Sequence, residues 1–329
     1  MKNIVIIGGG TGTSTLLSGL RQLPTNNAVI VSTADDGGST GRLREELGVV
    51  PPGDIRQCLV GLSYGDPVVS DLFNYRFDSG SLKGHAVGNI IISALEKSTG
   101  SIEKAIIQTA KLLNVRGYVV PITIHPTILS ATLEDGSQIK GEHNIDEPQH
   151  NGDLGITNLE LAPSGPANPR ALELIKNAQA IVFGPGDIYT STVPNLLVDG
   201  VREAIAQSKA KKILVVNLMT KWGQTNGYKA SDFVNGINRY LLPASIETVI
   251  VNTKQLEPAV IERYKQEKAE PIDADIATLE KIGVKVVAEA LAATNTFEKD
   301  TVDQLKRSFL RHDSERLAKI IYNLVNDGN

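Results

Sequence analysis

The sequence predicts an α/β fold: a three-layer, Rossmann-like, mostly parallel sheet with a β-rich insertion. Short apolar runs alternate with helical patterns along most of the chain, as buried parallel strands alternate with crossover helices. Several of those runs end in glycine-rich loops from which a helix starts, the place where open α/β sheets bind ligands. Between about residues 118 and 162 the pattern changes to strands and turns.

The strand candidates are Ile4 to Ile7, Val29 to Ser32, Ile181 to Phe183, Ile213 to Asn217, Val249 to Asn252 and Val284 to Val287. Helical stretches between and after them include SGLRQL, GNIIISALEKSTG, NPRALELIKNA and SERLAKIIYNLV. In the insertion, ATLEDGSQIKGE reads as a hairpin with Asp135-Gly136 at its tip. The stretch KGEHNIDEPQHNGD after it reads as a polar, exposed loop. No Pro/Gly linker or repeat divides the chain, so residues 1–329 are expected to form one domain. That domain carries the insertion at about 118–162 and a helical segment at about 301–329.

With 329 residues, 41% hydrophobic and 21% charged, the composition is that of a globular protein with a large core. A net charge of −4 argues against a nucleic-acid or anionic-membrane partner. The opening MKNIVIIGGG is too short in apolar length for a signal peptide, and no run reaches the length of a membrane span. A single cysteine, Cys58, fits a reducing compartment, so a cytoplasmic protein is expected. Cys58 itself lies in an apolar helical stretch and reads as a buried small residue.

The first loop lies in IVIIGGGTGTSTLLSGL. Gly9, Gly10 and Gly12 allow close backbone approach to a phosphate, and Thr11 and Thr13 add hydroxyls. Neither the third glycine of a dinucleotide fingerprint nor the Gly-Lys-Ser/Thr of a P-loop is present. The second, TADDGGSTGRLREELG, pairs Asp35 with Asp36 before Gly37, Ser39, Thr40 and Arg42. Such carboxylates hold Mg²⁺ against phosphates, bond sugar hydroxyls or act as a base. In VVPPGDIRQCLVGLS, Asp54 either caps the next helix or faces a ligand, while Arg56 and Gln57 sit in its first turn. An Arg there answers no need of the helix dipole and suits an anion.

His85 and Asn89 either line a cleft or form the start of an apolar helix. The loop Gly184-Pro185-Gly186-Asp187 and the hydroxyls of Tyr189, Thr190 and Ser191 follow another strand, and Asn217 and Thr220 follow the next. Polar loops at so many strand ends point to one composite cleft. His143 and His150 match no zinc spacing.

These stretches, in this order, resemble the gluconeogenesis-factor family (YvcK-like), relatives of 2-phospho-L-lactate transferase (CofD-like). The resemblance rests on GGGTGTSTLLSGL, TADDGGSTGRLR, PPGDIRQCL, KGHAVGNI, GPGDIYTSTVPNLLV and NLMTKWGQTNGYKASDF, from about residue 4 to residue 235. It implies a Rossmann-like cytoplasmic protein with ligand binding over the first glycine loop. Pro52-Gly53-Asp54-Ile55-Arg56-Gln57 is similar to the gluconeogenesis-factor branch, whereas Lys221-Trp222 departs from many relatives. That branch implies a regulator more than an enzyme, binding UDP-N-acetylglucosamine and needed for cell shape and peptidoglycan precursor supply on gluconeogenic carbon.

The transferase branch implies the alternative, Mg²⁺-dependent phospholactyl transfer from a nucleotide-activated donor to a deazaflavin acceptor. A nicotinamide-dependent oxidoreductase is a third, weaker reading. On the favoured reading the glycines take a diphosphate, and Asp35 and Asp36 face sugar hydroxyls or a Mg²⁺ ion. No cofactor is required, Mg²⁺ is optional, membrane insertion is absent, and a homodimer is expected.

Overall fold

The computed structural model describes residues 1–294 and 309–326. Its strands are β1 Lys2–Ile7, β2 Thr25–Val31, β3 Tyr118–Pro121, β4 Ile128–Leu133, β5 Gln138–Lys140, β6 Ile156–Ala162, β7 Ala180–Phe183, β8 Lys211–Val215, β9 Thr248–Asn252 and β10 Lys285–Glu289. Seven form one sheet in the order β10-β9-β8-β7-β1-β2-β3, every adjacent pair parallel. The remaining β5-β4-β6 form an antiparallel sheet. All six strands expected from the apolar runs lie in the parallel sheet.

Strand alternation sorts the core into two layers. Val5, Ile7, Ile30, Ile181 and Phe183 face one layer, and Ile4, Ile6, Val29, Val31 and Val182 the other. On the second face pack helices α1 Gly10–Leu20, α3 Pro52–Gly61, α5 Val87–Thr99 and α6 Ile102–Leu112, with the C-terminal helix Ser314–Asn326. The small antiparallel sheet joins the first layer through Leu129, Ala131 and Leu159. Between these elements in the chain lie α2 Gly38–Leu47, α4 Pro67–Asn74 and the short α7 Glu142–Asp146.

The insertion begins later than the sequence pattern suggests. Tyr118–Pro121 is the edge strand of the main sheet, paired with β2 from Ala28↔Tyr118 to Val31↔Pro121. An isolated apolar run shows its strand character but not its partner, so it had merged with the hairpin that follows. Asp135 and Gly136 do turn that hairpin: Asp135 Oδ1 accepts from Ser137 N at 2.9 Å, and Gly136 has φ +83°. Of the expected C-terminal helical segment, Ser314–Asn326 is helix; residues 301–308 and 327–329 lie outside the described residues. Among the described residues no helix is long and apolar enough to cross a membrane.

α1 crosses the C-terminal helix at Gly19, where an added Cβ would stand 2.0 Å from the Ser314 carbonyl oxygen. Backbone cannot yield as a flexible side chain does. Gly19→Ala is therefore expected to cost about 2 kcal/mol by overpacking, measured by urea unfolding; an unchanged midpoint would contradict this contact.

Chain connections leave β1 in opposite directions towards β2 and β7, so the topological switch point lies between β1 and β7. Their carboxyl ends carry the Gly8–Gly10 and Gly184–Asp187 loops. A crevice must open there.

Candidate functional site

A cleft of about 250 Å³ occupies this switch point. The starts of α1, α2 and α3, together with a π-helical turn at Ile188–Thr192, converge on it through Gly10, Ser39, Gly53 and Thr190. Neither α1 nor α2 has a side-chain N-cap. Helix starts direct amide dipoles into the cleft and favour negative charge there.

Most of the sequence-predicted residues meet in this one space. Gly9, Gly10, Thr11, Gly12, Asp35, Ser39, Thr40, Asp54, Arg56, Gln57 and Asn89 line its first half. Gly186, Asp187, Thr190, Ser191, Asn217 and Thr220 line the second. Asn217 Oδ1 accepts from Gly186 N at 3.1 Å, tying the β7 loop to the β8 loop. Thr220 Oγ1 accepts from Glu270 N at 2.8 Å.

Seven predicted residues serve the walls instead. Thr13 is fully buried and donates to the Pro185 carbonyl at 3.1 Å, bolting α1 to the β7 loop. Tyr189 is core, its hydroxyl 2.7 Å from that of Tyr228; burial and then Tyr228 push its pKa up. Gly184 turns the loop at φ +74°, and Gly37 N–H donates to Asp35 Oδ1 at 2.9 Å. Arg42 donates to the Lys83 carbonyl, and His85 stands behind Ser39. Asp36 Oδ1 accepts from His143 N at 2.8 Å, fastening α7 to the β2 loop. The paired acids thus divide: Asp35 faces the cleft and Asp36 anchors the insertion.

Asp54 takes the cleft-facing place beside Asp35. It does not cap its own helix, because its Oδ1 accepts from Gly10 N at 2.9 Å across the cleft. A Cβ on Gly9 would lie 1.8 Å from Asp54 Oδ2, so that contact demands glycine. Burial, then the Asp54 charge, pushes the Asp35 carboxyl up to about 7. Glu142 is raised in turn by burial, Asp35 and Asp146.

The stretch read as an exposed loop closes the opposite side. Ile145 is buried, and Glu142, His143 and Asp146 line the cleft. Lys221 Nζ reaches Asp146 Oδ1 at 2.5 Å and Asp187 Oδ2 at 2.7 Å. Thr190 Oγ1 and Gln224 Nε2 also donate to Asp146, each at 3.2 Å. Burial alone would lower Lys221 and raise Asp146; the pairing reverses both, raising the ammonium and lowering the carboxyl. Asp187 is held up by burial despite Lys221, with Asp146 adding to the rise.

The far wall was also missed. Tyr264, Leu310, Arg311 and His312 face the cleft, with Trp222 fixed by Asp153 at 2.8 Å. Arg311 lies just before the C-terminal helix. Single apolar Ile145 within a polar stretch, one residue before Asp146, was the available signal for α7. Nothing local marks residues 309–312, which reach the site through tertiary packing.

Residues 4–292 match the family described as 2-phospho-L-lactate transferase CofD. The chain is 38% identical to the gluconeogenesis factor of Bacillus subtilis (strain 168), covering 98% of each chain. It is 42% identical to a putative gluconeogenesis factor of Thermotoga maritima, covering 97% of this chain and 98% of that one. The crystal structure of a UPF0052 family member from Bacillus halodurans superimposes with a TM-score of 0.89 at 38% identity, covering 98% of both chains. With its doubly wound sheet, switch-point cleft and near full-length likeness to these proteins, the chain belongs to the gluconeogenesis-factor family, within the wider CofD family.

Proposed function

We propose that the cleft binds a nucleotide sugar, UDP-N-acetylglucosamine, and that the protein is a cytoplasmic regulator acting by binding. In this role it supports cell shape and peptidoglycan precursor supply on gluconeogenic carbon. The observation that carries the binding reading is the convergence of the starts of α1, α2 and α3 on one crevice. Arg56 stands among them, 4% exposed, and a guanidinium at this place adds positive charge that suits a diphosphate. Acids and hydroxyls beside that end suit the polyol portion of a sugar.

Asp54 sets a condition on such a ligand. A carboxylate already holds the Gly10 amide. At about 4 Å and an effective dielectric of about 20, each carboxylate–phosphate charge pair costs about 4 kcal/mol. A cation between them removes that repulsion. Among the described residues no three His, Cys, Asp or Glu side chains are arranged to hold a metal by themselves. Mg²⁺ on a nucleotide, however, takes one or two carboxylates and completes its shell with phosphate and water. Asp35 and Asp54 fit that demand, and Mg²⁺ there would neutralise charge on the diphosphate.

Titration calorimetry with UDP-N-acetylglucosamine, with and without Mg²⁺, tests the reading. Binding is expected, with Arg56→Met lowering affinity at least about tenfold, the loss of a charged hydrogen bond. No heat from the parent protein would overturn it. The Asp35–Asp54 pair also favours a second reading, Mg²⁺-dependent phospholactyl-type transfer, in keeping with the family's description. Release of GMP from an activated donor in the presence of a deazaflavin acceptor would make that reading the better one.

A further inference from the structure

The far wall differs from the rest of the cleft in being apolar. Leu218, Met219, Tyr264, Ala269 and Leu310 line it and belong to one buried cluster. Two contacts brace it. The Tyr264 and Phe309 rings stack with centroids 4.2 Å apart, and Leu310 N donates to the Tyr264 hydroxyl at 3.3 Å. A phosphate or a polyol gains little from such a surface, because its polar groups would lose water without finding partners. A nucleobase suits it: two apolar faces, with the polar groups confined to the edge.

Beside this wall stands His312. It lines the cleft, is only 6% exposed, and its Nε2 lies 3.1 Å from the Val216 carbonyl oxygen just past β8. A carbonyl only accepts, so Nε2 carries the proton and Nδ1 is a bare lone pair. Burial keeps the ring neutral, pushing its pKa down to about 4 against the opposing Val216 hydrogen bond. Among the described residues Nδ1 has no hydrogen-bond partner, and it is not sealed from solvent. It therefore meets the space that the residue lines. The result is a fixed acceptor, held by the sheet, next to an apolar surface.

We propose that the far wall is the base subsite and that His312 is its specificity-determining residue, Nδ1 accepting from the N3–H of uracil. The inference rests on the nucleotide-sugar reading above and adds which wall takes the base and what selects it. Uracil carries a donor at N3, whereas cytosine carries a lone pair there. Two lone pairs repel, and the buried acceptor is left unpaired. A site built to hydrogen-bond one ligand group rejects analogues that lack it.

Calorimetry with UDP and CDP, in the presence of Mg²⁺, tests this on the parent chain and on His312→Gln. The two nucleotides share ribose and diphosphate and differ only in the base. The variant keeps an N–H for the Val216 carbonyl and leaves no acceptor at the Nδ1 position. The parent should bind UDP at least about tenfold more tightly than CDP. His312→Gln should bind UDP about tenfold more weakly and CDP about as the parent does, so that the preference disappears. In ¹⁵N spectra of histidine-labelled parent protein, UDP should shift the His312 Nδ1 resonance and CDP should not.

Equal affinity of the parent for UDP and CDP would overturn the proposal while leaving the nucleotide-sugar reading intact. So would a folded His312→Gln that loses affinity for both nucleotides alike, the mark of a merely structural role. If the variant does not fold, the parent's preference and the Nδ1 resonance decide. Guanine offers a ring N–H on a larger base, so tighter binding of GDP than of UDP would overturn the uracil assignment. Absence of UDP-N-acetylglucosamine binding by the parent overturns the functional reading and this inference with it.

Discussion

Lys221→Met should destabilise the protein by about 3 kcal/mol at pH 7, the usual cost of removing one partner from a largely buried ion pair. The side chains of Lys221, Asp146 and Asp187 are 24%, 17% and 32% exposed, so solvent screens them only in part. Without the ammonium, two neighbouring carboxylates repel each other inside the cleft wall. The pH dependence has a definite sign. Asp146 has a lowered folded pKa, so its share of stability is present above the ordinary value of 3.8 and fades as pH falls through the folded one. Lys221 has a raised pKa, so its share is present below 10.5 and is lost only as pH rises through the higher folded value. The deficit of the variant should therefore be full at neutral pH and shrink towards pH 4, as the stranded acids take up protons. Urea unfolding at several pH values measures it. A variant as stable as the parent at pH 7 would show that Lys221 is not the clasp between α7 and the π-helical turn.

Asp35→Asn should have the opposite effect on the ligand-free protein. Burial and Asp54 hold Asp35 at about 7, against an ordinary value of 3.8. Ionising it in the folded state is a cost that grows as pH rises above the ordinary value and is complete above the folded one. At about 1.4 kcal/mol per pKa unit the cost is on the order of 4 kcal/mol. Asparagine removes the charge and keeps an acceptor for the Gly37 amide, now at 2.9 Å. A gain of about 3 kcal/mol is expected at pH 8, with little gain at pH 4. Added Mg²⁺ with nucleotide sugar should stabilise the parent more than the variant. A variant less stable than the parent at pH 8 would mean that Asp35 is not a carboxylate strained by its surroundings. Such strain, relieved by a ligand, is the usual mark of a functional position.

Local chemistry made the sheet and half of the cleft legible. Runs such as Ile4 to Ile7 and Ile181 to Phe183 are apolar on both faces, a pattern only buried parallel strands need. The glycine loops behind them announced the switch point. What could not be read was which of two adjacent polar residues turns inward. Asp35 and Asp36 are neighbours, yet one faces the cleft and the other binds His143 N, because a loop residue's direction follows its tertiary partner. For Asp54 the sequence left open a cap for α3 or a place facing a ligand; its Oδ1 accepts from Gly10 N, a partner 44 positions away. Glu142 and Asp146 seemed solvent-borne because their burial comes from Lys221 and the β8 loop, far along the chain. Tyr189 and Thr13 show the opposite case: their hydroxyls bond Tyr228 and the Pro185 carbonyl within the protein rather than lining the cleft.

A crystal structure of the protein with UDP-N-acetylglucosamine and Mg²⁺ tests the central claim most directly. The account predicts the diphosphate at the switch point, within hydrogen-bonding distance of Arg56 and the start of α1, with the metal between it and Asp35 and Asp54. A nucleotide bound elsewhere, or a diphosphate with no contact to those helix starts, would contradict it.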